Sequence, residues 1–174
     1  MGLSKIELSV VPLGDGHRRA EFTCGVESLD NYLHTQAGQD MRRHANAVFV
    51  LVAEAAPDTV IGYYTLCATA LLPGDVPDAA RKYIPRYPLV SATLIGRLAV
   101  AADRHGQGLG TILLVNALRR ALASSETVGS SMVVVDALDE AAAAFYTAHS
   151  FVKLPDSLRL VLPMRLVERI IAST

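Results

Sequence analysis

The stretch Ile95–Leu114 constrains the fold of this chain more than any other part of the sequence. An apolar run with strand character leads to Val100, three glycines follow within residues 106–110, and helical apolar spacing resumes at Leu109. A change of apolar period across a glycine cluster is typical of a strand, a tight turn and the start of a helix. The positions with helical apolar spacing are Leu109, Ile112, Leu113 and Ala117.

This glycine turn is suited to an anion. The first amides of a helix have no partners within the helix, and the helix dipole adds roughly half a positive charge there. Because Gly106, Gly108 and Gly110 have no Cβ, a diphosphate can approach the main chain and the turn can adopt positive φ. We therefore predict that the amides of residues 106–111 bind a pyrophosphate, with the Thr111 hydroxyl as a further donor. A β-to-α turn that binds nothing is the alternative.

Length and composition indicate one globular domain, residues 1–174. The sequence has 51% hydrophobic and 19% charged residues, a balance that favours a packed core over disorder. It has no charge-free apolar run long enough to span a membrane and no signal-peptide pattern, so we expect a cytoplasmic protein. Cys24 and Cys67 lack the spacing of a metal site or a disulfide framework, so we expect no metal and buried thiols.

The order of apolar patterns predicts an α/β fold with one mixed sheet and helices on both faces. Ser28 is expected to cap a first helix that ends at the cationic residues 42–44. Strand patterns at 47–53 and 60–72 predict an antiparallel hairpin, and the proline-rich residues 73–88 predict an irregular segment. The remaining segments are strands at 6–13, 132–135, 151–154 and 158–162, and helices ending near Ser124 and at 140–149 and 164–171.

Residues 105–110, His-Gly-Gln-Gly-Leu-Gly, resemble the Gln/Arg-x-x-Gly-x-Gly/Ala signature of the GNAT superfamily of N-acetyltransferases. His105 stands where Gln or Arg is usual, with Arg104 beside it. The resemblance implies acetyl-CoA as co-substrate, with its pyrophosphate at this turn. It also implies a mostly antiparallel sheet whose middle strands splay apart, so that the pantetheine arm bonds to freed strand backbone. The implied acetyl-CoA contacts are Leu98, Ala99, Val100, Arg104, His105, Gly106, Gln107, Gly108, Leu109, Gly110, Thr111 and Asp139.

The segment 136–151 resembles the part of the same family in which a helix begins at Asn or Asp and Phe-Tyr precedes Gly-Phe. Asp139 takes the Asn/Asp position, Tyr146 the tyrosine position and Ser150 the glycine position. The resemblance implies that Tyr146 is the general acid for the coenzyme A thiolate, and a phenol is protonated at neutral pH. Spacing alone favours an aromatic core residue beside Phe145.

Further segments are similar to the acetyltransferase toxins of bacterial type II toxin–antitoxin pairs, and together they cover nearly the whole chain. This likeness implies direct transfer of an acetyl group to the α-amino group of aminoacyl-tRNA, which stops translation. It also implies a ribbon-helix-helix antitoxin as partner. The segments are Phe22–Leu33, Ile61–Leu66, Pro85–Pro88, Gly96–Val100 and Leu162–Met164.

Transfer RNA is held through its phosphates, which requires clustered Lys and Arg. Residues 79–102 contain four basic side chains and no acidic one, although each basic residue is singly more often a solvated charge. Residues 42–43 also suit the C-terminal end of a helix. The predicted tRNA contacts are Arg42, Arg43, Arg81, Lys82, Arg86 and Arg159.

Two alternatives to a charged-tRNA substrate stay open: a GNAT enzyme acting on a small amine or a protein N-terminus, and a non-catalytic acyl-CoA sensor or partner-binding module. Solvation and capping explain Glu54 and Asp139, so neither is assigned as general base. An α-amino group, with a pKa near ~8, is partly neutral at cellular pH and needs such a base less than lysine does. A homodimer is also expected, and core burial competes with a partner surface as the explanation of Leu71, Leu72 and Val90.

Overall fold

The structure, a computed structural model, describes residues 6–174 and has the predicted mixed α/β fold. Its strands form one seven-stranded sheet in which most neighbours are antiparallel. The strands are β1 Leu8–Pro12, β2 Ala47–Ala53, β3 Gly62–Leu71, β4 Val90–Val100, β5 Met132–Asp136, β6 Val152–Lys153 and β7 Arg159–Pro163. Their order is β1-β2-β3-β4-β5-β7-β6, with β4 and β5 parallel.

The three longest helices fall on predicted segments, and a short one, Asp78–Arg81, lies within the proline-rich segment that was predicted to be irregular. Across residues 6–174, no helix is both long enough and apolar enough to cross a lipid bilayer. Short 3₁₀ turns at Arg19–Glu21, Pro73–Asp75 and Ala102–Arg104 connect other elements. The helices are α1 Glu27–Asn31, α2 Ala37–Arg42, α3 Asp78–Arg81, α4 Leu109–Ser125, α5 Glu140–Ala148 and α6 Met164–Ala172.

The first helix differs from the prediction in two ways. It begins at Glu27, after Val26, and no side chain caps it, so the prediction that Ser28 is the cap was wrong. It also contains a π-helical turn, Tyr32–Gln36, between α1 and α2. Its apolar residues repeat every four positions, which overshoots a full α-helical turn by about 40° each time. The wider π turn takes up part of this overshoot, which keeps the repeat facing the core.

Contacts divide the chain into two compact units: the first ends at Leu66 and resumes over Arg97–Asn116, and the second comprises Cys67–Gly96 and Ala117–Thr174. The single domain expected for 1–174 stays a prediction. In the first unit β2 and β3 form the predicted hairpin, in register from Ala47↔Leu66 to Leu51↔Gly62. Alternate β2 residues enter one core, which is formed by Phe22, Tyr32, Leu33, Ala37, Val48, Val50, Val52 and Tyr63, among others.

The second unit has its own core beneath the proline-rich segment. Val76 and Ala80 from that segment pack with Met132, Val134 and Val161 of the sheet. Leu71 and Val90 belong to the same core, so of the two explanations offered for them, core burial is the one that holds. Leu72, in contrast, is 57% exposed.

Helix α4 buries three of the four apolar positions that indicated it. Leu109, Leu113 and Ala117 are buried, whereas Ile112 is 43% exposed. Successive helix residues are about 100° apart, which places residue 112 well away from a face centred on positions 113 and 117. Leu114, Leu118 and Ala121 complete the buried face instead.

Candidate active site

The glycine turn has the predicted form. Strand β4 ends at Val100, the 3₁₀ turn Ala102–Arg104 follows, and α4 begins at Leu109. Gly106 has φ of 79° and Gly108 has φ of 75°, so both adopt the left-handed conformation that favours glycine. This confirms the expected positive φ at Gly106 and Gly108, whereas Gly110 lies within α4 and does not adopt it.

The space outside these two glycines is open. A Cβ built on Gly106 or on Gly108 would meet no heavy atom within 4 Å. Crowding therefore does not explain why glycine occupies these positions, whereas the backbone conformation does. The Ile112 amide donates to the Gly108 carbonyl at 3.3 Å, so the amides of residues 109–111 precede the first α-helical bond. The turn thus presents the start of a helix beside open space, as an anion site requires.

His105 folds back on the end of β4. Its Nε2 lies 2.8 Å from the carbonyl oxygen of Val100. A carbonyl oxygen only accepts hydrogen bonds, so Nε2 carries the hydrogen in this contact. The remaining ring nitrogen, Nδ1, donates only when the ring is protonated, so a neutral His105 offers an anion no second donor.

The last part of β4 extends beyond its pairing with β5. The parallel register runs from Ala92↔Met132 to Ile95↔Val135, while β4 continues to Val100. The resemblance assigned the pantetheine contacts to this extension. On its other side, a Cβ on Gly62 would lie 2.8 Å from the Ala99 carbonyl oxygen, so only glycine fits there without a shift.

Arg97 and Tyr32 form a cluster that the candidate residues did not include. The Arg97 guanidinium carbon lies 3.5 Å from the centre of the Tyr32 ring, a cation–π contact. The Tyr32 hydroxyl donates to Asp40 at 2.9 Å, and Gln36 and Asn46 donate to the same carboxylate at 2.9 and 3.0 Å. These hydrogen bonds, that from Gln36 first, lower the pKa of Asp40. The basic window and the Gly96–Val100 motif were the signals available for Arg97.

Tyr146 is a buried residue near the end of α5. Its side chain is 7% exposed, and burial raises the pKa of Tyr146 to about 12. Its ring meets Phe145 and Phe151 edge to face, with centroids 5.2 and 5.5 Å away. The phenol is therefore protonated at neutral pH, and its ring is also part of the local aromatic packing.

Both ends of α5 are closed by specific contacts. Asp139 accepts a hydrogen bond from the Ala142 amide at 2.8 Å, which confirms the predicted N-cap. At the other end Ser150 has φ of 75°, the Ser150 amide bonds to Thr147 at 3.1 Å, and the Phe151 amide bonds to Tyr146 at 3.2 Å. This is a Schellman motif with serine where the family signature has glycine.

The predicted tRNA contacts have different surroundings. Arg42 and Arg43 are exposed at the end of α2. Arg159 is already paired, because its Nε and its terminal nitrogen donate to the two oxygens of Asp136 at 2.7 and 2.9 Å. The other three residues, Arg81, Lys82 and Arg86, line one groove in the second unit.

The remaining groups considered for chemistry are a cysteine, a glutamate and possible metal ligands. Burial is the main cause that raises the pKa of Cys24 to about 11, and the neighbouring Asp30 raises it further. Glu54 is exposed, and a hydrogen bond with Glu7 raises its pKa. Between residues 6 and 174, His, Cys, Asp and Glu side chains form no group of three or more that could hold a metal ion.

A model of the acetyltransferase (GNAT) family matches residues 17–151, more than half of the sequence. The chain belongs to this family. The match confirms the class of enzyme, an acetyl-CoA-dependent N-acetyltransferase, and structures of AtaT with acetyl-CoA confirm acetyl-CoA as the co-substrate. The family match spans both the glycine turn and the Asp139–Ser150 segment.

Individual relatives confirm the likeness to toxins. The chain is 31% identical over 154 residues to the tRNA-acetylating toxin of Mycobacterium tuberculosis, and these residues cover 88% of this chain and 90% of that protein. It is 28% identical over 156 residues to the probable toxin TacT of Sinorhizobium fredii, which covers 85% of this chain and 86% of that protein.

Solved structures agree with the fold. A tyrosine-to-phenylalanine mutant of KacT matches with a TM-score of 0.86 and 28% identity, covering 94% of this chain and 98% of that one. AtaT complexed with acetyl-methionyl-tRNAfMet matches with a TM-score of 0.85 and 28% identity, covering 94% and 99%. A tyrosine-to-phenylalanine mutant of AtaT, bound to acetyl-CoA and to the C-terminus of the antitoxin AtaR, matches with a TM-score of 0.80 and 26% identity, covering 94% and 97%.

Proposed function

We propose that this chain is the toxin of a toxin–antitoxin pair and acetylates the α-amino group of an aminoacyl-tRNA, which stops translation. The observation that carries the proposal is the likeness to AtaT, whose complex contains tRNA charged with an acetylated amino acid. The relative from Mycobacterium tuberculosis, a tRNA-acetylating toxin, supports the same substrate class. The cytoplasm is the compartment in which such a substrate is available.

For the donor, we assign the diphosphate of acetyl-CoA to the main-chain amides of residues 106–111. The open space outside Gly106 and Gly108 supports this assignment. The pantetheine arm is assigned to the backbone of Leu98, Ala99 and Val100, which is supported by the end of the β4–β5 register at Ile95. In this assignment the main-chain amides hold the diphosphate, and the side chains of Arg104 and Gln107 make additional contacts to acetyl-CoA.

Tyr146 is assigned as the residue that donates to the coenzyme A sulfur. In direct transfer the amine nitrogen bonds to the acetyl carbon, the carbon–sulfur bond breaks, and the proton lost by the amine ends on sulfur. The gap between a pKa of about 12 for Tyr146 and ~8.5 for a thiol corresponds to roughly 5 kcal/mol. The phenol therefore donates its proton to the departing thiolate and takes up the amine proton in the same step, so that no free phenolate accumulates.

Direct transfer is also supported by the state of Cys24. The nucleophile in an acyl-enzyme route through cysteine is the thiolate. Burial and the nearby Asp30 raise the pKa of Cys24 to about 11, so its thiolate is scarce at neutral pH. The amine of the acceptor is then the nucleophile that attacks acetyl-CoA.

The partners we assign are a ribbon-helix-helix antitoxin and a second copy of the chain. The antitoxin is supported by the AtaT structure that contains the C-terminus of AtaR. A small amine or a protein N-terminus is the competing acceptor, and a non-catalytic acyl-CoA sensor is the competing role. Measuring which acceptor receives the acetyl group distinguishes these two alternatives from the proposed function.

The proposal is tested by incubating the purified protein with acetyl-CoA and either charged tRNA, uncharged tRNA, free amino acids or a peptide with a free N-terminus. Mass spectrometry of the products should show one added acetyl group on the aminoacyl moiety of charged tRNA. Faster acetylation of the peptide or of the free amino acids would contradict the tRNA assignment. Binding of acetyl-CoA without transfer to any acceptor would favour the sensor.

The basic end of α2 gives a second test. Replacing Arg42 and Arg43 with Glu is expected to raise the KM for charged tRNA and to leave acetyl-CoA binding unchanged. Arg165→Glu, at an exposed position of α6, is the control for reversal of a single surface charge. Equal loss of tRNA use and acetyl-CoA binding in the double variant would contradict a role that is specific to tRNA binding.

A further inference from the structure

The second unit contains an open groove of about 720 Å³ in the proline-rich segment between β3 and β4. This volume lies within the range of about 300–1,000 Å³ that is typical of ligand sites. One part of the lining is apolar, and the other part carries three cations and one carboxylate. The lining residues are Pro73, Asp78, Arg81, Lys82, Ile84, Pro85, Arg86 and Tyr87.

The groove rests on a firmly packed base. Val76 and Ala80, on the same segment, are each 1% exposed, and Ile84 packs against the same core. Arg81 is fixed as well, because it donates to the Val76 carbonyl at 2.9 Å and pairs with Asp78 at 3.0 Å. The shape of the groove is therefore set before any ligand arrives.

The charge of the groove is positive. Asp78, its carboxylate, is neutralised by Arg81. Lys82 and Arg86 are exposed and supply the remaining charge. The Lys82 ammonium lies 5.1 Å from the centre of the Tyr83 ring, which holds the lysine near the groove by a cation–π contact.

Tyr87 is the feature that the basic residues alone do not explain. It directly follows Arg86, lines the groove, and is 65% exposed, so most of its ring is available to a ligand. An exposed aromatic ring beside cations is the arrangement with which proteins bind single-stranded nucleic acid, because bases stack on the ring while phosphates meet the charges.

We infer that this groove binds the single-stranded 3′ end of tRNA, with an unpaired base stacked on Tyr87 and its phosphates beside Lys82 and Arg86. The inference rests on the proposed function and names the part of the charged tRNA that this segment contacts. The positive charge favours RNA over a second copy of the chain, whose net charge is −1. A protein partner at Tyr87 is the other outcome that the experiment distinguishes.

The experiment measures binding without catalysis. Two fluorescent RNA hairpins of the same stem are titrated with the full chain, one with an unpaired four-nucleotide 3′ extension and one blunt. The wild-type protein should bind the extended hairpin more tightly, since each stacked base adds about 5- to 150-fold in affinity. Tyr87→Ala should remove this preference, and Tyr87→Phe should keep it because a phenyl ring still stacks.

Controls separate stacking from general effects. Leu89→Ala, at a neighbouring residue that is 58% exposed, should leave the preference unchanged. Arg86→Gln should weaken binding of the extended hairpin and reduce the slope of log Kd against log salt by about 0.7, one phosphate of a single strand. Arg165→Gln on α6 is the matched charge control and should not change that slope.

The outcomes distinguish this inference from the proposed function. If wild-type protein shows no preference for the extended hairpin, or if Tyr87→Ala retains the preference, the inference is overturned even where charged tRNA is acetylated. If the preference depends on Tyr87 but no tRNA is acetylated, the groove assignment stands and the proposed function fails. Loss of dimerisation or antitoxin binding in Tyr87→Ala, with unchanged hairpin affinity, would assign the groove to a protein partner.

Discussion

The glycine turn before α4 and the end of α5 use the same backbone conformation in opposite ways. Gly108 and Ser150 both have φ of 75°. At Ser150 the left-handed residue turns two amides back onto carbonyls of α5, so the hydrogen bonds are satisfied within the chain. At Gly108 a side chain would meet only open space. Left-handed φ therefore marks a helix end closed by its own hydrogen bonds in one region and a helix start beside open space in the other.

The largest expected effect tests whether the α5 region also has a chemical role. Tyr146→Phe is expected to lower kcat by about 10²- to 10⁴-fold, the range for a general acid. The melting temperature and acetyl-CoA affinity should change little, because the Tyr146 carbonyl, and not its hydroxyl, accepts the bond that closes α5. Steady-state kinetics with charged tRNA and calorimetry with acetyl-CoA check this. Tyr83→Phe is the control, and full activity of Tyr146→Phe would leave the residue a purely structural role.

The same variant has a pH signature. Burial raises the pKa of Tyr146 to about 12, above ~10 in an unfolded chain. The fold therefore favours the protonated phenol, and this stabilisation is complete below pH ~10 and is lost as the pH rises toward 12. Tyr146→Phe should unfold at higher pH than wild type in an alkaline titration followed by circular dichroism. An unchanged alkaline midpoint would contradict the raised pKa.

The next effect tests the glycine turn before α4. Gly108→Ala is expected to weaken acetyl-CoA binding by about 10- to 150-fold, the equivalent of one charge-assisted hydrogen bond of about 1.5–3 kcal/mol. Because alanine is disfavoured in the left-handed conformation, Gly108→Ala should also lower the free energy of unfolding by about 1–2 kcal/mol. Calorimetry and denaturant unfolding measure the two quantities. Gly129→Ala is the control, since its Cβ also meets open space but its φ is not left-handed. Unchanged affinity in Gly108→Ala would remove this turn as the diphosphate site.

A smaller effect tests the end of α5. Ser150→Gly is expected to raise the free energy of unfolding by about 0.5–1 kcal/mol, because glycine avoids the left-handed penalty at the cost of extra freedom in the unfolded chain. Acetyl-CoA affinity and kcat should stay the same. Denaturant unfolding with parallel kinetics checks both expectations. A lower stability would mean that the serine side chain stabilises the motif, and a changed affinity would erase the contrast with the glycine turn.

The smallest effect concerns His105 beside the glycine turn. His105→Arg is expected to tighten acetyl-CoA binding by up to about fivefold at low ionic strength, because an exposed ion pair contributes about 0.2–1 kcal/mol. The gain should fade as salt is added. Calorimetry at two salt concentrations measures it. His105→Ala controls for loss of the contact with the Val100 carbonyl, and a gain that does not depend on salt would contradict an electrostatic cause.

Features that depend on local spacing were predictable from the sequence. The strand–turn–helix at Val100–Leu109 follows from a change of period across glycines, and the Asp139 cap follows from residue type at a helix start. Both are confirmed. The β2–β3 hairpin was predictable for the same reason, because two β-branched runs flank a short polar turn.

Features that depend on competing contacts were not predictable. The uncapped start at Glu27 follows from how the first helix meets its core, and residue types there did not signal it. The four-residue apolar repeat was visible in the sequence, but it fits an ordinary α-helix almost as well as one with the π turn Tyr32–Gln36. The Tyr32–Arg97 contact joins residues far apart in the chain, so spacing could not suggest it. The pairing of Arg159 with Asp136 depends on strand register, which brings the two residues opposite each other.

The two-residue strand β6 limits how the sheet can grow. A sheet edge invites aggregation when it presents a long row of unpaired backbone groups to another chain. Within residues 6–174 the outermost strand at this end consists of Val152 and Lys153, and the lysine adds a charge there. Addition of a further strand at that end of the sheet is therefore disfavoured, which protects a protein with 51% hydrophobic residues from forming fibre-like stacks through this edge.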